Sequence, residues 1–319
     1  MWYVKVEDEE TDPRYGKPPE ERTIEELIKS SVVNVDKPKG PTSHQVTAWV
    51  KDIFKVKKAG HAGTLDPKVT GVLPVALENA TKAMMVLMGL DKEYVGVMHL
   101  HKDVDIETLR KVIAEKFVGK IKQIPPVKSA VARRPRVRTV YFFDVLEKEG
   151  KDVLFRVGCE AGTYIRKLVH DLGVVLGVGA HMTELRRVRA GHFKEQYSHS
   201  LVEIRDAYEF WKEEGEEKYL RKILIPVEYA ILHVKRVFVK DAAISAIAHG
   251  APVYVPGLVR IQKGIQKGEK VAIYSLKNEL VAIGIANMTS EEMFEKKHGI
   301  AVRVDRVFIG KDVYPKSWK

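Results

Sequence analysis

The stretch of residues 60–75 combines one carboxylate with three glycines and two prolines among apolar residues. Such a density of residues with unusual or restricted backbone geometry predicts a loop that is held in one defined shape. The carboxylate belongs to Asp66, which directly precedes Pro67. A carboxylate in this setting can act as a nucleophile, act as a base or cap a turn, and turn capping is the commoner role of an aspartate before proline. The loop alone therefore marks a candidate for chemistry without deciding its role.

The chain of 319 residues has 54 Lys and Arg against 43 Asp and Glu, which gives a formal net charge of +11. Lys and Arg displace counterions from phosphates, so this surplus favours a polyanionic partner such as nucleic acid, although a merely soluble basic protein has the same composition. Five basic residues fall within residues 128–138, among them Arg133, Arg134 and Arg136. This segment is either a solvated run of charge or a surface that contacts phosphates.

The single cysteine, Cys159, cannot form an internal disulfide. Cysteine-based zinc sites need several thiolates, so we expect no such metal site. This cysteine usage is typical of a reducing, intracellular compartment. The first residues soon become acidic, and no apolar run is long enough to cross a bilayer, so we expect no signal peptide, no transmembrane segment and a cytoplasmic location.

The elements that must position these residues mix helices and strands without a strict β-α-β order. Hydrophobic periodicity predicts strands at 31–36, 141–146 and 153–159, and helices at 106–117 and 164–176. A further helix follows a cap at Thr42 or Ser43, with Val46, Trp49, Val50 and Ile53 as its expected apolar face. This mixture predicts an α+β fold with a mixed or antiparallel sheet.

Residues 1–30 and the chain beyond residue 211 differ in composition from the part between them. The polar residues 7–26 predict an extended arm, with order beginning near residue 31, and 212–222 predict a surface linker. From residue 234 onwards, five short strands and a helix at 241–249 predict a small β-barrel. The predicted domains are an arm at 1–30, an α+β domain at 31–232, a β-barrel at 233–312 and a tail at 313–319.

Five stretches of the chain resemble, in the same order, the motifs of RNA pseudouridine synthases of the TruB/dyskerin type. They lie at 36–43, 60–74, 80–82 with 92–94, 162–168 and 181–187, and together cover roughly residues 32–192. The stretches 237–241, 249–253, 267–271 and 282–286 resemble a PUA domain, an RNA-binding β-barrel. The resemblance implies a pseudouridine synthase catalytic domain, followed by a PUA domain with which the N-terminal arm associates.

By this resemblance the chain is an isomerase that converts uridine in rRNA or tRNA to pseudouridine without a metal or other cofactor. The resemblance implies that Asp66 is the nucleophile, that Tyr94 stacks on the target base or transfers a proton, and that Arg166 pairs with Asp66. Without the resemblance, Tyr94 is an aromatic residue packed on a strand and Arg166 is a surface arginine of a helix.

Further candidates for RNA binding follow from the same resemblance. Lys37 is expected to contact phosphate or to support the pocket, and Met182 and Leu185 are expected to form its apolar walls. His61 is either a wedge or phosphate contact near the flipped base, or a structural histidine. Arg133, Arg134 and Arg136 are expected to grip substrate RNA.

Stretches such as 92–95, 99–101, 123–126 and 150–157 resemble the branch of dyskerin and its archaeal counterparts, which are catalytic subunits of H/ACA guide-RNA particles. The absence of a lysine-rich tail after Trp318 indicates an archaeal-type rather than a nucleolar eukaryotic protein. The implied partners are guide and substrate RNA, small zinc-ribbon-like and glycine/arginine-rich-type proteins, and a kink-turn-binding ribosomal-type protein held through the guide. The alternatives are a stand-alone tRNA pseudouridine synthase and a non-catalytic RNA-binding scaffold.

Overall fold

The computed structural model of the chain describes residues 1–124 and 134–316. Its first strand, β1 (Trp2–Val4), pairs antiparallel with a distant strand that contains Arg260. The first helix, α1 (Ile24–Ile28), begins at Thr23, whose hydroxyl accepts a hydrogen bond from the backbone N–H of Glu26. The polar composition predicted an extended arm, with order beginning near residue 31. The structure instead has ordered elements before that residue. The capping box and three buried apolar residues at helical spacing explain the difference.

The first sheet contains ten of the strands found in the described residues. They are β2 (Ser31–Lys37), β3 (Ala59–His61), β4 (Thr70–Leu77), β5 (Lys92–Leu100), β6 (Gly119–Gln123), β7 (Arg136–Glu149), β8 (Asp152–Cys159), β9 (Ala180–Ala190), β10 (Phe193–Lys194) and β11 (Leu224–Pro226). Their order is β11-β2-β4-β9-β5-β8-β7-β6, with β3 beside β4 and β10 beside β9. The pair β4–β9 is parallel, whereas the other neighbours are antiparallel.

Helices connect strands of this sheet, and one further helix follows its last strand. They are α2 (Ser43–Ile53), α3 (Met84–Leu87), α4 (Ile106–Lys116), α5 (Ile165–Val175), α6 (Leu201–Glu214), α7 (Lys218–Ile223) and α8 (Val227–Ala230). The predicted apolar face of α2 is wrong at Trp49, whose exposure is 45%, because the buried stripe runs through Ser43, Val46, Thr47 and Val50. Residues 212–222 lie largely in α6 and α7 rather than in a linker.

The second sheet forms a C-terminal domain around its own apolar core. Its elements are β12 (Lys235–Val239), α9 (Asp241–Ala248), β13 (Val253–Tyr254), β14 (Leu258–Gln262), β15 (Lys270–Tyr274), β16 (Leu280–Ala286), α10 (Ser290–Glu295) and β17 (Ile300–Val307). The strand order is β1-β14-β12-β15-β16-β17-β13, so β1 extends this sheet at one edge. Together, the mixed first sheet and the separate C-terminal sheet confirm the predicted α+β fold.

Glu228 of α8 connects three parts of the chain, although its exposure is only 3%. Its carboxylate accepts hydrogen bonds from the guanidinium of Arg22, at 2.8 and 3.1 Å, and from the backbone N–H of Leu280 at 3.0 Å. Its backbone carbonyl accepts a further bond from the hydroxyl of Tyr274 at 3.0 Å. An apolar cluster that includes Val32 of the first sheet and residues of the second sheet reinforces this junction.

The parallel contact between β4 and β9 depends on Gly71. This residue has a φ of +102°, and a Cβ added to it would lie 2.2 Å from the backbone oxygen of Arg187. No side chain fits there unless the two strands separate, so glycine permits the close approach of β4 and β9.

We expect Gly71→Ala to lower the free energy of unfolding more than Gly150→Ala does. Gly150 also has a positive φ, but a Cβ there would have no heavy atom within 4 Å. The control should lose about 1–2 kcal/mol from backbone strain, and Gly71→Ala should lose a further 1–3 kcal/mol, roughly, from steric overlap. Denaturant unfolding of both variants measures the difference, and equal losses would contradict the steric argument.

Candidate active site

The loop between β3 and β4 carries Asp66, and side chains from other elements fix its backbone. The hydroxyl of Ser43 accepts a hydrogen bond from the N–H of Leu65 at 2.8 Å and donates to the carbonyl of the same residue at 3.0 Å. The N–H of Gly40 donates to the carbonyl of Pro67 at 2.8 Å. Within the loop, the N–H of Val69 donates to the carbonyl of Asp66 at 2.9 Å. The loop therefore has the single defined shape that its glycines and prolines predict.

Lys37 binds the backbone of the Asp66 loop from the interior of the protein. Its side chain is completely buried, and its ammonium donates to the carbonyls of Pro38, Pro67 and Val69 at 2.9, 3.2 and 2.8 Å. Burial lowers the pKa of Lys37, and the nearby carboxylate of Asp66 opposes that shift. Of the two roles expected for Lys37, support of the pocket fits this position. A phosphate contact does not fit, because the side chain has no exposed surface.

Arg187 of β9 is a second buried cation beneath the loop. With an exposure of 1%, it donates from Nε to the carbonyl of Val72 at 2.7 Å and from Nη2 to the carbonyl of Gly63 at 2.9 Å. In the sequence it stands in a basic cluster with Arg186 and Arg189, and that pattern does not reveal its structural role. The available signal was the period of two along the strand, which places Arg187 on the same face as the buried Leu185.

The neighbours of Arg187 are also engaged within the protein. Arg186 makes a two-point contact with the carboxylate of Asp36, at 2.9 and 3.0 Å. Arg189 donates from Nε to Glu93 at 3.1 Å. The basic cluster of β9 therefore pairs with internal carboxylates and carbonyls.

Asp66 and Arg166 meet although they are 100 residues apart in the chain. Nη2 of Arg166 lies 2.5 Å from Oδ2 of Asp66, and the two side chains are 60% and 55% exposed. Arg166 is the second residue of α5. A guanidinium presents planar donors to a carboxylate, so this contact orients the carboxylate of Asp66 and leaves it accessible to a substrate.

Tyr94 lies in an apolar cluster that also contains the immediate neighbours of both members of this pair. Leu65 precedes Asp66, Ile165 precedes Arg166, and both pack in the cluster with Tyr94 and Leu185. Met182, the other predicted wall residue, packs against the edge of the cluster. Burial raises the pKa of Tyr94 above its ordinary value of 10.0, so its phenol is neutral at neutral pH.

His61, at the end of β3, lies between two threonines. Its Nδ1 is 3.0 Å from Oγ1 of Thr47, and its Nε2 is 3.2 Å from Oγ1 of Thr64. Burial, with smaller contributions from His44 and Arg187, lowers the pKa of His61 to about 4. The imidazole is therefore neutral at neutral pH.

His61 also borders a cavity of about 540 Å³ beside the loop. The lining includes Gly63 and Thr64 of the loop and the two methionines Met84 and Met88, but not Asp66. The cavity thus lies on the side of the loop that faces α2 and α3.

The predicted RNA-gripping segment is described only in part. Arg133 lies outside the described residues, Arg134 is exposed, and Arg136 is the first residue of β7, opposite Gln123 of β6. Across residues 1–124 and 134–316, no group of three or more His, Cys, Asp or Glu side chains is placed to hold a metal ion. In the same ranges, no helix has the length and apolar character needed to cross a membrane.

Comparison with known protein families identifies the class of protein. Residues 51–165 match the N-terminal domain of TruB family pseudouridylate synthases, and 166–232 match the C-terminal domain of tRNA pseudouridylate synthase B. Residues 235–308 match the PUA domain, and 3–47 match the DKCLD domain. A mixed sheet with this carboxylate loop, followed by a PUA domain, defines an RNA pseudouridine synthase.

Solved structures and curated relatives place the chain within that class. It is 55% identical to the corresponding chain in a crystal structure of a Cbf5-Nop10-Gar1 complex, with a TM-score of 0.94, covering 99% of this chain and 96% of that chain. It is 53% identical to a chain in a structure of an H/ACA RNP bound to a substrate RNA containing 2'-deoxyuridine, with a TM-score of 0.93, covering 100% and 97%. The Probable tRNA pseudouridine synthase B of Methanopyrus kandleri is 57% identical, over 97% of this chain and 91% of that protein. The chain belongs to the TruB family of pseudouridine synthases.

We expect Lys37→Met to destabilise the protein without changing the salt dependence of RNA binding. Removing the ammonium leaves three carbonyls without this donor, at about 1–3 kcal/mol for a buried polar group, and it removes no phosphate contact. The control is Lys39→Met, since Lys39 is 57% exposed and pairs with Glu184. Unfolding and RNA titrations over a range of salt test both variants. Weaker binding with a shallower salt slope and unchanged stability would identify Lys37 as a phosphate contact instead.

We expect His61→Gln to reduce the acid sensitivity of the fold. The pKa of His61 is about 4 in the folded protein against 6.5 ordinarily, so the unfolded chain takes up a proton first as the pH falls. Stability contributed by the neutral imidazole is thus present above pH 6.5 and is lost as the pH falls towards 4. The free energy of unfolding of both proteins, measured from pH 8 to pH 4, should give parallel curves above pH 7 and a shallower decline for the variant below 6.5. Parallel curves throughout would contradict the assignment.

Proposed function

We propose that Asp66 is the nucleophile of the isomerisation and that it attacks the sugar of the target uridine. The observation that carries this proposal is the exposed pair of Asp66 and Arg166 on a loop whose backbone is held by buried side chains. Arg166 orients the carboxylate through a charge-assisted hydrogen bond. An accessible, oriented carboxylate can attack a glycosidic carbon as a nucleophile.

The proposed reaction is balanced without a redox partner. The bond between N1 of uracil and the sugar breaks while the carboxylate of Asp66 bonds to the sugar carbon. The released uracil turns, its C5 displaces the carboxylate, the C5 proton leaves, and N1 gains a proton. Atoms and electrons balance within the nucleotide and solvent, so the chemistry itself calls for no oxidant, reductant or cofactor.

Tyr94 is suited to stacking against the uracil more than to removing a proton. Its ring belongs to the apolar cluster that supports the loop and the start of α5. A general base would need the phenolate form of Tyr94. Burial raises the pKa of this phenol and so disfavours the phenolate. We therefore assign the stacking role to Tyr94, with Leu185 and Met182 as apolar walls beside it.

The substrate uridine must leave its stack to reach Asp66, which costs a few kcal/mol. We propose that Arg133, Arg134 and Arg136 offset part of this cost by contacting substrate phosphates. Arg136 opposes Gln123 at the end of β6, and that strand packs beside the turn leading to Arg166. A phosphate contact at this position would therefore hold RNA close to the start of α5.

We propose that the protein works as the catalytic subunit of an H/ACA guide ribonucleoprotein in the cytoplasm. Two of the similar solved chains come from a Cbf5-Nop10-Gar1 complex and an H/ACA RNP with substrate RNA, and the similarity extends over nearly the whole chain. The partners would be guide RNA, small accessory proteins of the Nop10 and Gar1 types, and a kink-turn-binding protein held through the guide. The second candidate is a stand-alone tRNA pseudouridine synthase, which the naming of the curated relatives favours.

The test of catalysis is Asp66→Asn, assayed by tritium release from RNA that carries uridine labelled at C5. We expect the turnover rate to fall by at least about a thousandfold, because a nucleophile has no substitute, while RNA affinity stays unchanged. The control is Asp206→Asn, an exposed carboxylate on α6 that pairs with Arg205. Turnover that survives in Asp66→Asn would refute the assignment and leave an RNA-binding scaffold or another nucleophile.

The same assay separates the two substrate classes. A tRNA transcript with the protein alone measures stand-alone activity, and a target RNA with guide RNA and accessory proteins measures guided activity. Dependence of target turnover on the complementarity of the guide supports the ribonucleoprotein. Turnover of tRNA alone, without any gain from a guide, would overturn it in favour of the stand-alone enzyme.

A further inference from the structure

Gln123, the last residue of β6, is a buried polar side chain whose exposure is only 3%. Its carboxamide makes a two-point contact with the backbone of one residue, Tyr164. Oε1 accepts from the N–H of Tyr164 at 3.0 Å, and Nε2 donates to the carbonyl of Tyr164 at 3.2 Å. These bonds hold the peptide units on both sides of Tyr164, so they restrict both backbone torsions of that residue.

Tyr164 is the residue from which α5 begins. Its side chain makes no capping hydrogen bond to the first turn, and its carbonyl accepts the first helical bond, from the N–H of Leu168 at 3.0 Å. Gln123 therefore contacts the same carbonyl that starts the helix. Because helical residues follow one another at a rise of about 1.5 Å, any shift of Tyr164 passes directly to Arg166.

The turn before Tyr164 is attached to the sheet by other contacts. The hydroxyl of Thr163 donates to the carbonyl of Glu160 at 2.8 Å, and the carboxylate of Glu160 accepts from the N–H of Thr139 at 3.0 Å. These bonds fix the turn on β7, whereas Gln123 fixes the next residue from β6. The position of the first turn of α5 thus depends on a side chain that lies outside the helix.

The pair of Asp66 and Arg166 is too exposed to fix its own geometry. Exposed ion pairs gain little free energy, and two flexible side chains lose entropy when they hold one arrangement. Asp66 is positioned by the backbone contacts of its loop. Arg166 needs an equivalent restraint on its own backbone, and the contact between Gln123 and Tyr164 supplies one two residues away.

We propose that Gln123 is a positioning residue for Arg166, and through it for the carboxylate of Asp66. This inference rests on the proposed function, in which Arg166 orients the catalytic Asp66. Gln123 itself does not touch the reacting atoms. It sets the direction from which the guanidinium of Arg166 meets the carboxylate, and a displacement of about 1 Å at a reacting centre can reduce a rate about a hundredfold.

The test compares Gln123→Met, which keeps the length of the side chain and removes both bonds, with Gln123→Glu, which keeps the acceptor and loses the donor. Single-turnover rates with saturating protein should fall by about 10- to 100-fold for Gln123→Met and by less for Gln123→Glu. The dissociation constant for RNA should change less than about threefold, because no RNA contact is removed. The control is Ser200→Ala, which removes the N-terminal cap of α6 and should lower stability with an unchanged rate.

A merely structural role is excluded by repeating Gln123→Met in an Arg166→Ala background. With the guanidinium already absent, we expect less than about a threefold further loss of rate, because residues that act through one another are not additive. A further loss as large as in the otherwise unchanged protein would overturn the proposal. A wild-type rate in either folded Gln123 variant would also overturn it, so Gln123→Glu decides if Gln123→Met does not fold. Activity in Asp66→Asn refutes the proposed function itself, whereas an inactive Asp66→Asn with an active Gln123→Met refutes only the positioning role.

Discussion

Buried cations that donate to backbone carbonyls hold the active-site loop, and the geometry of the site depends on them. The ammonium of Lys37 reaches the carbonyls of Pro67 and Val69, and the guanidinium of Arg187 reaches the carbonyl of Gly63. Removing a charge from water is costly, and several carbonyl dipoles directed at each cation offset that cost. Since the backbone on either side of Asp66 receives these bonds, its side chain is left exposed beside Arg166.

The sheet order explains how both cations reach one loop. Lys37 ends β2, Arg187 lies on β9, and the two strands flank β4 on opposite sides. The loop leads directly into β4, so each neighbouring strand brings one cation beneath it. The approach of β9 requires Gly71, where a Cβ would collide with the backbone of Arg187. The parallel pairing of β4 with β9, in a sheet whose other strand pairs are antiparallel, therefore brings Arg187 to the loop.

Sequence patterns predicted the elements whose apolar periodicity is local. Helix α5 and the hairpin of β7 and β8 fall close to their predicted positions, because their buried residues recur at the spacing of one element. The pairing of β1 with β14 joins residues more than 250 positions apart, and no local pattern records such a partner. Hydrophobicity predicts that Trp49 is buried, but the buried stripe of α2 runs through Val46 and Val50 and leaves Trp49 exposed.

The residues of the candidate site differ in the same way in how far the sequence predicts them. Asp66, Tyr94 and Arg166 stand in stretches that the family resemblance marks, so the sequence predicts them as site residues. Arg187 looked like one more cation of a basic cluster because charge alone does not show which way a side chain points. Lys37 stands in a stretch that the resemblance marks, yet its inward direction depends on carbonyls of a loop thirty residues later.

Glu228 has a consequence for the spacing between the first sheet and the PUA domain. A single carboxylate binds the N-terminal segment and the PUA domain to the end of the first sheet, and a shared apolar cluster closes the same junction. Separating the two domains would therefore leave a buried charged group without its partners, which opposes such a movement. An RNA that contacts both the PUA domain and Asp66 must span a distance set by the protein.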